Sequence, residues 1–275
     1  MTPIALTIAG SDPSGGAGLQ ADLKTFHQFG VYGASVLTLL TVQNTCQVSA
    51  VEYLPASFVL AQLDALLDDL PPQAAKTGAL GTREIVEALA GRAANFSFPL
   101  VIDPVMISKH GAPLMEQDAR DALIRKLLPF AYLVTPNIPE AMILCGEKIA
   151  SELRHASSQN SAMEEAAKAI AALGPRNVLI KGGHWGDHGS GDLTENALDI
   201  LYAGGRFYRF SSKRIATPHT HGTGCTHSAA ITAELAKGTG LVEAVANAKN
   251  YITRAIESNP SLGHGSGPVN HHAAI

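Results

Sequence analysis

The sequence predicts a single α/β domain, in which a doubly wound, mostly parallel sheet carries helices on both faces. Short apolar runs and amphipathic helical patterns alternate from end to end, which is typical of βαβ units joined by right-handed crossovers. Of the 275 residues, 46% are hydrophobic but only 5% are aromatic, which favours helices on a parallel sheet over an all-β sandwich. We find no internal repeat, and the length suffices for one large core.

The first two thirds of the chain supply the alternating units. Ile4–Ala9 predicts the first strand, and after the glycine-rich stretch Gly10–Gly18 apolar residues recur at helical spacing up to Phe29. The same two periodicities predict strands at Ser35–Val42, Ala74–Thr77, Pro99–Ile102, Tyr132–Thr135 and Val178–Lys181, and helices at Pro55–Leu70, Thr82–Ala93, Asp118–Leu128, Glu140–Cys145 and Ala162–Leu173.

The last third begins with a predicted antiparallel hairpin, since Leu198–Tyr202 and Arg206–Phe210 are separated only by Ala-Gly-Gly. Two long helices follow, Thr223–Lys237 and Leu241–Glu257. The glycine-rich tail, residues 263–275, is expected to be poorly ordered unless it docks. The polar stretches His155–Ser161 and Gly186–Asp192 predict surface loops and not a domain boundary.

Composition excludes several classes of function. A net charge of −4 argues against nucleic-acid binding, which needs a basic face. No apolar run reaches the roughly 18 residues of a membrane span, and the first residues lack the features of a signal peptide. Cys46, Cys145 and Cys225 are too few and too widely spaced for a disulfide framework. We therefore expect a soluble, cytoplasmic protein without nucleic-acid or membrane partners.

Polar residues follow the predicted parallel strands at the edge where ligands bind in open α/β sheets. They are Asp12, Gln43, Lys76, Asp103, Asn137 with Glu140, and Lys181. Turns and helix caps use the same residue types and would explain any one of them. Their recurrence after six strands favours a ligand site.

A second glycine-rich turn leads directly into the predicted helix at Thr223. Gly222 and Gly224 allow backbone N–H groups to converge at a helix N-terminus, which is suited to an anion or to a transferring phosphoryl group. Cys225 falls in the first turn, where the helix dipole lowers a thiol pKa. Its alternative role is that of a small buried hydrophobe. A metal site of His219, His221, Cys225 and His227 is a further alternative, although its spacing matches no zinc template.

Asp103 and Glu140 are candidate Mg²⁺ ligands, because magnesium bound to nucleotide phosphates takes about one or two protein carboxylates plus waters. Few basic residues are expected near this pair, and Glu140 alternatively complements a helix dipole. Lys181, at the end of a buried strand, is a candidate phosphate contact. A dinucleotide fingerprint at Gly16-Ala-Gly18-Leu-Gln-Ala21 lacks its acidic partner, because Gln43 and Asn44 occupy that place.

Taken in order, these motifs resemble one family. The motifs are Ala9-Gly-Ser-Asp-Pro-Ser-Gly-Gly-Ala-Gly-Leu-Gln-Ala-Asp-Leu-Lys-Thr-Phe26, Asp103-Pro-Val-Met106, Thr135-Pro-Asn137 with Glu140, Lys181-Gly-Gly-His184 and His221-Gly-Thr-Gly-Cys225. The chain is similar, from Ile4 to about Asn270, to the hydroxymethylpyrimidine and hydroxymethylpyrimidine-phosphate kinases of thiamine biosynthesis, a branch of the ribokinase superfamily.

The resemblance implies a ribokinase-like fold and a small-molecule substrate pocket. The pyrimidine would lie between the loop at Gly10 and the second strand, and Asp22 and Gln43 would hydrogen-bond its ring edge and amine. Ala79 and Val105 would also contact the ring. Many relatives carry a methionine at the position of Ala79, so the wall of this pocket differs here.

The resemblance also implies ATP and Mg²⁺ as cofactors and a homodimer as the assembly. Asp103 and Glu140 would hold the metal directly or through water. Residues expected to bind ATP are Lys181, Asn137, Thr223 and Gly224. Gly222, Gly224 and Lys181 would stabilise the transferring phosphoryl group. Cys225 would lie beside the substrate hydroxyl, at a position where most of the superfamily has an aspartate base.

Two other functions remain open from the residues. Pyridoxal also offers a ring and a primary alcohol, so a pyridoxal kinase fits the same scaffold, although the amide of Gln43 suits an aminopyrimidine edge better. A pyrimidine-binding protein without catalysis is less compatible with intact Asp103 and Glu140 and an intact glycine turn.

Overall fold

The computed structural model describes residues 2–109, 111–155, 159–183 and 196–275. Within these ranges, nine strands form one sheet in the order β3-β2-β1-β4-β5-β6-β7-β8-β9. The strands are β1 (Ile4–Ser11), β2 (Tyr32–Gln43), β3 (Val48–Tyr53), β4 (Ala74–Thr77), β5 (Leu100–Ile102), β6 (Leu133–Val134), β7 (Val178–Lys181), β8 (Asn196–Ala203) and β9 (Arg206–Lys213). The helices are α1 (Gly18–Gln28), α2 (Ala56–Asp69), α3 (Arg83–Ala93), α4 (Gln117–Ala122), α5 (Ile138–Leu144), α6 (Glu147–His155), α7 (Gln159–Ala171), α8 (Thr223–Ala236) and α9 (Leu241–Glu257).

The centre of the sheet is parallel, and both of its edges are antiparallel. β1 pairs in parallel with β2 and β4, and parallel pairing continues through β5 and β6 to β7. β3 runs antiparallel to β2, and β7, β8 and β9 are successively antiparallel. The doubly wound, mostly parallel sheet and the β8–β9 hairpin are thus confirmed. Because the central strands are parallel, their carboxyl ends all reach one edge.

Helices cover both faces of this sheet and form two cores. Leu63 of α2, Ile85 of α3 and Met163 of α7 belong to the core on one face. Phe26 of α1, Ile231 of α8 and Tyr251 of α9 belong to the core on the other. Residues Thr226–Ala236 of α8 are all buried, which fixes the start of this helix relative to the sheet.

Two elements, β3 and α6, were not predicted from the sequence periodicity, and one predicted helix is less regular than expected. β3 is an edge strand with exposed Ser49, Ala50 and Glu52, so it lacks the apolar run that marks the central strands. α6 is mostly polar and was assigned to no element. The predicted helix Asp118–Leu128 is α4 followed by a π-helical turn and a 3₁₀ turn. The predicted loop Gly186–Asp192 lies outside the described residues, and so do positions 156–158 of the predicted loop His155–Ser161.

The tail docks along the molecule, which is the condition under which the sequence analysis expected it to be ordered. Val269 is 1% exposed and Ala273 5% exposed. The Asn270 amide donates to the Ala255 carbonyl at 2.9 Å, and the Tyr251 hydroxyl donates to the His271 carbonyl at 3.0 Å. The glycines that suggested disorder instead allow close approach: a Cβ on Gly265 would lie 2.2 Å from the Thr45 carbonyl oxygen. As for membrane spans, none of the helices in the described part of the chain is long and apolar enough to form one.

Candidate active site

A cavity of about 760 Å³ lies at the edge formed by the carboxyl ends of the parallel strands. Asp22 and Lys76 do not line it, but the other predicted site residues do: Gly10, Asp12, Gln43, Ala79, Asp103, Val105, Asn137, Glu140, Lys181, Gly222, Thr223, Gly224 and Cys225. These residues come from six strand ends and from the start of α8. The fold therefore brings together side chains that lie far apart in sequence, as expected for an open parallel sheet.

Asp22 is buried away from the cavity. Its predicted contact with a substrate ring is therefore not made from this position. The side chain is fully buried in α1, where both carboxylate oxygens lie 2.8 Å from Lys76 Nζ. The Thr7 hydroxyl also donates to this carboxylate at 2.6 Å. Although burial disfavours the charged ammonium, Asp22 raises the pKa of Lys76. The sequence shows only that Asp22 follows the glycine loop. It does not show that Lys76, a buried residue of β4, pairs with its carboxylate.

The predicted glycine-rich turn is present at the start of α8 and is called the anion turn below, after its predicted role. Gly222 caps the helix with φ +80°, and a Cβ there would lie 1.7 Å from the carbonyl oxygen of Gly16. A Cβ on Gly224 would lie 3.3 Å from Lys181 Nζ. The backbone of Gly222 therefore approaches the glycine loop so closely that this position requires glycine, whereas a Cβ at position 224 would closely approach only the end of the Lys181 side chain. The first amides of a helix point out of its N-terminus and bind anions.

Cys225 lies in the first turn of α8, but the predicted lowering of its pKa is wrong. Burial raises the pKa of its thiol to about 12, and the positive charge of Lys76 opposes this effect only in part. The negative charges of Asp22 and Asp103 contribute in the same direction as burial. The helix dipole that motivated the expectation is outweighed by desolvation. The thiol of the ligand-free enzyme is therefore protonated at neutral pH.

Lys181 and Asp103 form an ion pair in the middle of the cavity. Lys181 Nζ lies 2.9 Å from Asp103 Oδ1, to which the Thr135 hydroxyl also donates at 3.2 Å. The Ser228 hydroxyl donates to Asp103 Oδ2 at 3.1 Å. Although burial opposes ionisation, Lys181 keeps the pKa of the Asp103 carboxyl below its usual range. Few basic residues lie near the two carboxylates, as expected, but one of them, Lys181, pairs directly with Asp103.

Glu140 lies in the first turn of α5, where the alternative interpretation placed it, and it also faces the cavity. It forms a capping box with Asn137: each side chain accepts a hydrogen bond of 2.9 Å from the other residue's backbone N–H. Burial raises the pKa of the Glu140 carboxyl to about 8, and the negative charge of Asp103 adds to the rise. A positive ion placed between the two carboxylates would relieve this repulsion.

The donor set fits Mg²⁺ bound together with phosphate. Asp103 and Glu140 both offer oxygen, which is the ligand atom that magnesium prefers, and the ion commonly completes its shell with water and substrate phosphates. The described residues include no group of three or more His, Cys, Asp or Glu side chains placed to hold a metal. The alternative metal site around His221 therefore has no support among them.

Sequence reasoning missed a polar network at the opposite side of the turn. His221 Nε2 lies 2.8 Å from Asp12 Oδ2 and 3.3 Å from Gln43 Nε2. Although burial opposes ionisation, hydrogen bonds from His221 and Ser14 lower the pKa of Asp12 to about 2. Asp12 is then an acceptor, so the His221 ring donates from Nε2. Asp12, Gln43 and His221 each carry a signal in the sequence, but nothing local shows that they meet, because Asp12 and His221 lie 209 positions apart.

A second group of cavity-lining residues that the sequence analysis missed lies on β8 and α9. Lys249 Nζ of α9 lies 2.9 Å from Asp199 Oδ2 of β8, and the Gly182 amide donates to Asp199 Oδ1 at 3.0 Å. Ile252 and Ile256 of α9 supply apolar surface beside this ion pair. The signal in the sequence was a lysine on the otherwise apolar face of an amphipathic helix.

Taken together, the helix-start anion turn, the basic side chain and the paired carboxylates at one sheet edge define a ribokinase-like small-molecule kinase. Comparison with known proteins makes this specific, because the family model described as phosphomethylpyrimidine kinase matches residues 12–270. The chain belongs to the phosphomethylpyrimidine kinase family.

The chain is similar over nearly its whole length to two curated thiamine-biosynthesis proteins and to a pyridoxal kinase of known structure. Hydroxymethylpyrimidine/phosphomethylpyrimidine kinase of Haemophilus influenzae is 48% identical over 98% of this chain and 96% of its own. The thiamine biosynthesis bifunctional protein ThiED of Geobacter sulfurreducens is 49% identical over 97% of this chain, which spans only 51% of that protein. An ADP complex of Bacillus subtilis pyridoxal kinase superposes with a TM-score of 0.85 at 40% identity, over 99% of this chain and 98% of that one.

Proposed function

We propose that the enzyme transfers the γ-phosphoryl group of ATP, with Mg²⁺, to the hydroxymethyl group of 4-amino-5-hydroxymethyl-2-methylpyrimidine and then to the resulting monophosphate. The observation that carries this proposal is the continuity of the cavity. One space of about 760 Å³ joins Gln43 to Lys181, to the anion turn and to both carboxylates. A small aromatic alcohol and a nucleotide bound at its two ends would meet at the turn.

The end of the cavity near Gln43 suits a small substituted ring. Leu39, Ala79 and Leu114 form a small apolar cluster there, against which Val105 packs. A Cβ on Gly10 would lie 2.5 Å from Leu39 Cδ1. Glycine at this position therefore lets the backbone of β1 approach the Leu39 side chain closely. The amide of Gln43 lies at the polar rim, with its nitrogen 3.3 Å from His221 Nε2. Apolar walls with one amide match a methylated aminopyrimidine.

In the proposed reaction, a bond forms between the substrate hydroxyl oxygen and the γ-phosphorus while the bond from this phosphorus to the β–γ bridging oxygen breaks. Lys181 and the amides of Gly222–Cys225 stabilise the charge on the transferring group. Mg²⁺, held by Asp103 and Glu140, would neutralise phosphate charge. Because the Cys225 thiol is protonated in the ligand-free enzyme, it can act as a base only after ligand binding lowers its pKa, and Lys76 is placed to assist.

The proposal is tested by measuring ATP-dependent phosphorylation of the pyrimidine alcohol, its monophosphate and pyridoxal in parallel. Turnover of both pyrimidines is expected. The second candidate, a pyridoxal kinase, is favoured by the 40% identity to the Bacillus subtilis enzyme, and it gains support if pyridoxal alone is phosphorylated. Binding of the pyrimidines without consumption of ATP would instead indicate a non-catalytic binding protein.

Replacement of the amide at position 43 tests substrate choice. Gln43→Met should leave polar atoms of the bound aminopyrimidine unpaired, at a cost of about 1–3 kcal/mol in transition-state binding. We therefore expect kcat/KM for the pyrimidine alcohol to fall about 5- to 160-fold, with a smaller loss for pyridoxal. Equal losses with the two substrates would contradict the role assigned to Gln43.

Replacement of one proposed metal ligand tests the carboxylate pair. Glu140→Gln should raise the Mg²⁺ concentration at half-maximal rate about tenfold, because one carboxylate ligand is lost. A glutamine retains the capping box, so the helix start is preserved. Because the folded pKa of Glu140, about 8, exceeds its unfolded value, its contribution to stability is lost as pH rises through 8. Metal-free Glu140→Gln should therefore melt no lower than wild type at pH 8.

The matched control for this substitution is Glu147→Gln, at the exposed start of the next helix, α6. It should leave both the Mg²⁺ dependence and the melting temperature unchanged. A Glu140→Gln enzyme with the Mg²⁺ dependence of wild type would assign Glu140 to capping alone.

We also propose that the enzyme is a cytoplasmic homodimer. The sheet edge formed by β2 and β3 exposes Leu40 to 43% and Val42 to 62%, which gives an apolar surface for a second copy. ATP as the phosphoryl donor favours a cytoplasmic location.

A further inference from the structure

The C-terminal tail, residues 263–275, contacts the anion turn through several independent hydrogen bonds. The His221 amide donates to the Gly267 carbonyl at 3.0 Å, and the Val269 amide donates back to the His221 carbonyl at 3.2 Å. The Gly267 amide also donates to His219 Nδ1 at 3.1 Å. The residue directly before Gly222 is thus held by backbone bonds on both sides, in a β-bridge between His221 and Pro268.

A side chain of the tail reaches the first turn of α8 itself. His271 Nε2 lies 3.1 Å from the Thr226 hydroxyl, next to Cys225 in sequence, and both side chains are buried. Tyr251 of α9 holds His271 in place through its carbonyl. Burial lowers the pKa of His271 to about 4, helped by the positive charge of Lys24. The imidazole is therefore neutral at physiological pH and makes a neutral hydrogen bond.

The tail also reaches the proposed substrate end of the cavity. The Ser266 amide donates to the Thr45 carbonyl at 2.8 Å, and the Gly265 amide donates to the Thr45 hydroxyl at 3.3 Å. Thr45 follows Gln43 at the end of β2. Through His221, whose ring lies against both Asp12 and Gln43, the same segment is connected to the first strand. Residues 265–271 of the tail therefore contact both the proposed substrate end of the cavity and the anion turn.

We propose that this tail is a functional part of the active site, and that His271 is a positioning residue that fixes the anion turn through Thr226. The inference rests on the proposed phosphoryl transfer, because the turn is positioned for a transferring phosphoryl group. His271 does not line the cavity and contacts no reacting atom. Its role is to keep the amides at Gly222–Cys225 in the geometry that stabilises charge before the substrates bind.

His271→Ala tests the proposal by kinetics and by hydrogen exchange. We expect kcat to fall at least about tenfold while KM for the pyrimidine changes less than about threefold, because only the transition state uses the turn fully. In the ligand-free enzyme, amides of residues 219–226 should exchange at least about tenfold faster. His271→Gln, which can again reach Thr226, should restore part of both properties. His272→Ala, at the exposed neighbouring position, should match wild type.

A second substitution covers the case in which His271→Ala fails to fold. Thr226→Val keeps the shape of α8 but removes the hydroxyl, and it should reproduce a smaller loss of kcat and the faster exchange. Loss of melting temperature in either variant, with kcat and exchange of residues 219–226 at wild-type values, would assign His271 to stability alone and overturn the proposal. If wild-type enzyme does not phosphorylate the pyrimidine, the proposed function fails, and the exchange measurements still decide whether the tail orders the turn.

Discussion

Gly222→Ala is expected to lower kcat by at least about 100-fold, because displacement of a catalytic group by about 1 Å can cost that much. The new Cβ would lie 1.7 Å from the carbonyl oxygen of Gly16, and this neighbour is backbone, so the turn itself must move. The residue also adopts φ +80°, which is unfavourable for alanine. The measurement is kcat for the pyrimidine alcohol at saturating ATP, with circular dichroism to verify folding.

The chain offers a matched control for backbone strain. Gly238, just after α8, has φ +86°, and nothing lies within 4 Å of a Cβ built there. Gly238→Ala should therefore show the cost of the left-handed conformation, about 1–2 kcal/mol of stability, without loss of kcat. Comparable kcat in the two variants would mean that the tight approach of Gly222 to Gly16 has no catalytic purpose.

Lys181→Met is expected to lower kcat about 10²–10³-fold, the usual effect of removing one group that stabilises transition-state charge. Its Nζ lies 2.9 Å from Asp103 and 3.3 Å from the Cβ position of Gly224, between the proposed metal ligand and the anion turn. The substitution also removes the main counter-charge of buried Asp103, whose pKa should then rise. Activity should consequently require higher pH as well as more Mg²⁺.

The appropriate control is Lys168→Met, at a half-exposed lysine of α7 that pairs with Glu165 and lies 5.6 Å from the centre of the Phe207 ring. Surface ion pairs of this kind contribute about 0–1 kcal/mol, so kcat, KM and melting temperature should stay near wild type. A Lys181→Met enzyme that keeps more than about a tenth of the wild-type kcat would show that the turn stabilises the phosphoryl group without a lysine.

The fold was predictable because its signals are local. Apolar runs gave the central strands, and the bounds of β4, β7 and α9 match the predicted ranges. The edge strand β3 escaped because exposed Ser49 and Glu52 interrupt its apolar residues. The order of the tail could not be decided from the sequence, because its glycines allow either disorder or close packing, and only the neighbouring Thr45 and His219 decide between them.

The site was predictable where a residue's position along its own strand determined its place. Asp103, Asn137 and Lys181 follow parallel strands and therefore reach the common edge. Contacts between distant segments were not predictable. Asp22 points to Lys76 because of how α1 packs on the sheet, and the pKa of Cys225 is raised because the folded chain removes its thiol from water. Neither fact has a local signature.

The docked tail has a consequence for how the enzyme matures during synthesis. Strand ends from β1 to β7 can assemble once residue 181 has left the ribosome, but the bonds from Gly267 and His271 to the anion turn form only after those residues have emerged as well. Domains generally fold as units while synthesis proceeds at about 5–20 residues per second. A nascent chain that has emerged only as far as residue 262 would therefore hold a folded sheet and an unfinished anion turn, so competence for phosphoryl transfer would wait for residues 267–271.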